Sequence, residues 1–249
     1  MKKIIFFTIA ALACFIMSQN AYAQHSMHID VSEKQVGINT GFTGASFSVF
    51  GTTAHAGDIA IAIYGPPKDT TVRHKGQFLG MWMNKDSLSF YNVPAYYDIA
   101  LSIPASQISD YETLLDNYIG LDSLEFRYRG RKSNEDKAAR FREALIHNKQ
   151  LAGHYPLAPR NIEFITEKFF RADFHVPSDV PTGRYSIKGF IFEDGVLTAQ
   201  SAVSFDVAQV GLSARVFRFA YADSFIYSLL AIFMALIAGA GAHYTLRRD

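Results

Sequence analysis

Cysteine is almost absent from this sequence: Cys14 is the single example in 249 residues. It sits in an apolar run near the N-terminus. A lipoprotein signal would place Leu three residues before it, where this chain has Ala11, and Phe15, Ile16 and Met17 continue the run beyond it. Cys14 therefore reads as leader, and the rest of the chain has no thiol for catalysis, disulfides or zinc. Several catalytic signatures are missing too: there is no H-E-x-x-H, G-x-S-x-G, P-loop or G-x-G-x-x-G. No charge sign dominates. Without Lys2 and Lys3, the 24 basic residues fall to 22 against 23 acidic ones, which argues against nucleic acid as a partner. Tryptophan occurs once, as Trp82.

What is present starts with a leader. Lys2 and Lys3 precede an apolar stretch over 4–17, and Ala21-Tyr22-Ala23 is a small-x-small cleavage site. This predicts a signal peptide over 1–23 and a mature chain of 226 residues. At the other end, residues 225–246 hold no Asp, Glu, Lys or Arg, and Arg247 and Arg248 follow. Twenty-two residues at ~1.5 Å each reach ~33 Å, enough for a hydrocarbon core of ~30 Å. A transmembrane helix is predicted over 222–246, with 247–249 as a cytoplasmic tail by the positive-inside rule. The expected location is the bacterial inner membrane, single-pass, with residues 24–218 in the periplasm.

That central part reads mainly as β. Met27, Ile29 and Val31 alternate with polar residues, as do Phe47 and Val49 further on. Residues 58–64, DIAIAIY, are apolar on both faces, the mark of a central strand. Gly65 to Asp69 should turn. Short strands are expected at 70–75, 78–83, 88–93 and 97–103. A helical insertion then spans about 105–155. Ser109-Asp110-Tyr111-Glu112 looks like a capping box before Tyr111, Leu114, Leu115 and Tyr118, and Ser133 to Asp136 looks like a second before Ala138, Phe141 and Leu145. Strands resume around Phe170 to Val176, Tyr185 to Phe192 and Ser201 to Val207, with Asp194-Gly195 as a hairpin turn. Asp179-Val180-Pro181-Thr182-Gly183-Arg184-Tyr185 has the pattern of a tyrosine corner. The expected fold is an immunoglobulin-like β-sandwich with a helical insertion and one C-terminal transmembrane helix. Two small β domains separated by helices is the alternative.

Candidate chemistry is sparse. His25 and His28, with Met27 and a free amine at Gln24, present copper donors, yet a polar chain terminus looks the same. Asp58 with Arg73-His74-Lys75 reads either as a charged site or as solvated strand borders. Arg127 to Lys132 is a basic loop that Glu135 and Asp136 offset. Trp82, Tyr91, Tyr96 and Tyr97 suit a binding groove or a sandwich core equally. Ala231, Ala235 and Gly239, each four apart, form a small-residue face that lets a second helix approach closely. His147 and His154 flank a helix end, and His243 lies near the end of the span.

Several pieces carry a family resemblance: Phe42-Thr43-Gly44 with Phe50-Gly51, Asp58 to Gly65-Pro66, Arg73-His74-Lys75, Gly80-Met81-Trp82-Met83-Asn84 and Val93-Pro94-Ala95-Tyr96-Tyr97. Together they resemble the alphaproteobacterial putative transmembrane protein family. The resemblance implies a signal sequence, an exported domain, a C-terminal anchor and an association with sulfite-exporter-type permeases. It transfers no catalytic residue and no cofactor. The expected function is a non-enzymatic accessory or interaction protein for an inner-membrane transporter or assembly. Its partners would be the lipid bilayer and either a membrane protein or a second copy of itself. A periplasmic ligand- or metal-binding protein is the alternative.

Overall fold

The computed structural model describes residues 26–39, 41–78, 80–129 and 135–246. The expected leader, His25, Ser133, Asn134, Arg247 and Arg248 lie outside the described residues. The plan follows from Asp58–Tyr64 (β4), where every residue from Ile59 to Ile63 is buried. A strand that is apolar on both faces must be covered on both. It lies inside a six-stranded sheet ordered β2 (Gln35–Ile38), β13 (Val196–Gln209), β12 (Gly183–Glu193), β4, β7 (Tyr97–Leu101) and β9 (Arg160–Asn161). A second sheet is ordered β1 (Met27–Val31), β3 (Ala45–Thr53), β11 (Phe169–Val176) and β10 (Glu163–Thr166). Neighbours are antiparallel except β2 with β13 and β7 with β9.

The two sheets share one core. Phe47, Val49, Phe170 and Phe174 from the four-stranded sheet meet Ile59, Ile61, Ile63, Ile187 and Phe205 from the six-stranded one. The rings of Phe47 and Phe205 stand 4.8 Å apart. Each such side chain contributes about 1.5–3 kcal/mol on full burial. The order β1-β3-β11-β10 opposite β13-β12-β4 is the order that the A-B-E-D and G-F-C strands take in immunoglobulin sandwiches. At the start of β12, the Tyr185 hydroxyl donates to the Pro181 carbonyl at 2.7 Å, the bond that a tyrosine corner requires.

On the other face of the large sheet, Ala60, Ala62, Phe190 and Phe192 form the floor of a second core. Its cover is the helical insertion, α1 (Ala105–Ile108), α2 (Tyr111–Asp116) and α3 (Glu135–Leu151), together with a long hairpin, β5 (Pro67–Phe78) and β6 (Met81–Pro94). Strand β8 (Arg127–Tyr128) pairs onto β6. The small side chains of Ala60 and Ala62 let this layer sit close to the sheet, where isoleucine would hold it off.

Several expectations are corrected. The strands expected at 70–75, 78–83 and 88–93 are two long ones, and 78–83 holds the hairpin turn, with Gly80 at φ +81. Gly65 to Asp69 does not turn: the β4–β7 ladder continues through the Gly65 N–H to Tyr96 carbonyl and Ala95 N–H to Pro66 carbonyl bonds into Pro67 opposite Pro94, a proline being tolerated at the first position of a strand. The first capping box moves by one residue. Asp110, not Ser109, caps α2, accepting from Thr113 N at 2.7 Å, while Ser109 Oγ donates to the Gly195 carbonyl. That helix ends at Asp116, before Tyr118 at φ +59, so Tyr118 does not continue its face. The Asp194-Gly195 turn is as expected, with both residues at positive φ. Strand β2 is an addition that the sequence pattern did not suggest.

After β13 the chain forms α4 (Leu212–Ala222), then α5 (Ser224–Leu246). Helix α4 is a second addition; Val216, Phe217 and Tyr221 on it are exposed. Residues 224–243 of α5 have a mean hydropathy of 2.1, and none of the span is buried within the chain.

Candidate functional site

Strand β7 carries one acid in an otherwise apolar run. Period two sends Tyr97 and Ile99 to the helical side, and Tyr96, Asp98 and Ala100 to the core between the sheets. A carboxylate there needs partners, since an unpaired buried charge is costly. Asp98 has three. Arg160 Nε on β9 donates to Oδ2 at 2.7 Å, the Tyr96 hydroxyl reaches Oδ2 at 3.0 Å, and the backbone N–H of Ile99 donates to Oδ1 at 2.9 Å. The same Tyr96 hydroxyl lies 2.9 Å from the His175 carbonyl on β11, so its one proton serves two acceptors and ties the sheets together. Burial, with the Asp98 charge second, raises the Tyr96 phenol far above its ordinary value. The Arg160 guanidinium lies over the Phe174 ring at 5.9 Å.

This corner also joins the helical layer to the sandwich. The Lys149 ammonium donates to the Ala95 carbonyl at 3.0 Å, and the Tyr155 hydroxyl to the Pro94 carbonyl at 2.8 Å. Tyr97 N–H donates to His154, and its hydroxyl accepts from Gly120. Burial lowers the Lys149 pKa and raises that of Tyr155. His154 Nε2 stands 3.1 Å from Asp179. A cleft of about 380 Å³ opens here, with Asp98, Gln150, Tyr155 and Arg160 in its walls. Its charges are already matched inside the chain, so the arrangement fixes architecture and leaves a guanidinium edge, 40% exposed, at the mouth.

The expected site residues fall in different places. Tyr96 and Tyr97 are buried in this corner on opposite sides of the sheet. Trp82 is separate from them, exposed beside the hairpin turn, and Tyr91 lies under Arg129 at 6.0 Å. The four aromatics therefore do not line one groove. Asp58 begins β4 at the end of the sheet opposite Tyr64, which leads to the hairpin carrying Arg73 and His74. Arg73 and His74 instead border a groove of about 290 Å³ floored by Val72 and Phe141. His28 is exposed on β1, and among the described residues no three His, Cys, Asp or Glu form a group able to hold a metal. Ala231, Ala235 and Gly239 lie along one exposed face of α5, and among the described residues nothing beyond the helix's own backbone comes within 4 Å of a Cβ placed on Gly239. Sequence reasoning missed Asp98 and Arg160. The available signal was a lone acid in the inward row of β7.

The family model of the putative transmembrane protein family (Alph_Pro_TM) matches residues 26–248. The chain belongs to that family. The match takes in the sandwich, the helical insertion, α4 and all of α5. No curated protein and no solved structure matches the chain.

Proposed function

We propose that this member of the family is a non-enzymatic accessory protein, its sandwich held at the periplasmic face of the inner membrane, working through contact with a membrane-embedded partner or a second copy. One observation carries the reading: α5 is long and apolar, and Ala231, Ala235 and Gly239 are exposed along it among the described residues. Small residues four apart let helices approach until backbone contacts form. Asp98 is engaged by Arg160 within the large sheet and Lys149 by the Ala95 carbonyl, which supports a scaffold over a reaction centre.

The test is crosslinking in native membranes followed by purification in mild detergent. A defined adduct that weakens with Ala235→Leu or Gly239→Leu is expected. A monomer without adduct in every condition would sink the reading. Side is checked separately, with single cysteines in β10 and after Leu246 labelled by a membrane-impermeant reagent. Only the β10 cysteine should react in intact spheroplasts. Stoichiometric copper in the purified full chain, lost on changing His25 and His28, would replace this proposal with the metal-binding one.

A further inference from the structure

The hairpin of β5 and β6 ends in an uncovered apolar tip. Met81 is 66% exposed, Trp82 72% and Met83 48%. Behind the tip stand Arg73, Lys75 and Lys85, all exposed, and the acid at their level, Asp86, is held by Lys137 at 2.6 Å. Lys85 is three residues from Trp82, or ~10 Å along a strand. That spacing matches the ~5–10 Å depth to which interfacial segments bury their apolar side.

The strand register shows where this hairpin starts. Pro67 faces Pro94 at its base, directly after Gly65 and Pro66. A Cβ built on Gly183 would lie 2.9 Å from Pro66, so the base touches the first residue of β12. Gly183 pairs with Val207, two residues before β13 ends at Gln209 and five before α4 begins at Leu212. The hairpin base and the exit toward α5 are therefore neighbours at one end of the sandwich. From that end, twelve residues of β5 reach ~40 Å.

We infer that this tip is a second membrane contact: Met81, Trp82 and Met83 enter the interface of the same bilayer that α5 crosses, with Lys75, Lys85 and Arg73 at the headgroups. The occupant follows from the setting. An apolar tip of this kind fits a membrane or a protein surface. Here the anchor sets a bilayer beside the hairpin base, tryptophan favours the membrane–water interface, and a collar of Arg73, Lys75 and Lys85, whose one acid Asp86 is paired with Lys137, suits anionic headgroups. The inference rests on α5 lying in the bilayer and is independent of any protein partner.

Trp82 is the sole tryptophan, so the full chain reports on its own tip. The chain is reconstituted through α5 into phosphatidylcholine vesicles, with and without phosphatidylglycerol and with brominated acyl chains, and insertion is verified by flotation. The expected result is blue-shifted Trp82 emission, quenching by brominated lipid and loss of iodide quenching, stronger with the anionic lipid. The pair Met81→Ser and Met83→Ser, both on exposed positions, should return Trp82 to iodide while far-UV circular dichroism stays unchanged. The inference is overturned if Trp82 in lipid-only vesicles remains open to iodide and untouched by brominated chains. It is equally overturned if protection needs an added membrane protein.

Discussion

Arg160 and Asp98 form an uneven pair: a guanidinium 40% exposed donates through Nε, at 2.7 Å, to a carboxylate only 4% exposed. The pair closes the edge of the sandwich where β9 runs parallel to β7. Removing the arginine strands the acid, whereas removing both partners does not. Arg160→Ala should destabilise the chain by about 2–4 kcal/mol, below the upper values for a fully buried pair because water reaches Arg160. Arg160→Met with Asp98→Leu should recover much of that loss. Urea unfolding of the full chain in detergent measures both, and equal losses for the single and double variants would contradict the pairing.

Tyr185 offers a cleaner subtraction. Tyr185→Phe keeps the ring against Phe205, 5.1 Å between centroids, and removes the bond to the Pro181 carbonyl. The expected cost is about 1–2 kcal/mol. A neutral result in equilibrium unfolding would mean that the corner is held by packing alone.

Gly51 lies under a ring. A Cβ there would sit 2.1 Å from Phe170, its partner across β3 and β11. Gly51→Ala should cost about 1–3 kcal/mol through overpacking. Gly195→Ala meets open space and costs only its left-handed backbone, φ +82, about 1 kcal/mol. Thermal unfolding of the two variants should rank them in that order.

Alkali should unfold this protein abruptly. Burial raises the phenol pKa of Tyr64, Tyr96, Tyr97, Tyr155 and Tyr185 above the ordinary value of 10.0. The unfolded chain loses these protons first, so stability is fully present below pH 10.0 and falls as pH rises beyond it. Lys149, lowered by burial, works in the opposite direction, one group against five. Phenolate absorbance from these tyrosines should rise together with the loss of far-UV ellipticity. Their ionisation in a still-folded chain would contradict the burial.

The elements that the sequence exposed are those whose period survives one kind of neighbour. DIAIAIY and the alternation of Phe170, Ala172, Phe174 and Val176 were readable because each face meets one environment. The tyrosine corner was readable because its turn chemistry is local. The hairpin was not, since its outer half is exposed on every position from Met81 to Lys85 and has no buried row to mark a strand. Nor was β2: four residues paired in parallel to β13 depend on a partner some 170 residues away. Asp98 was visible as an oddity, but Arg160 is supplied by a strand of two residues that no pattern announces.

Strand β13 leads to the anchor, and its flanks decide how the domain responds to tension. Any pull from the membrane enters at Gln209 and runs along the strand axis. On one side β12 holds β13 over almost its full length, and on the other β2 grips its last residues. Force in that direction loads these backbone bonds together, in shear, and cannot peel them one at a time. The early segment that supplies β2 therefore acts as a mechanical clamp on the tether, and a chain cut after Ile38 would yield to lower force at the end nearest the bilayer.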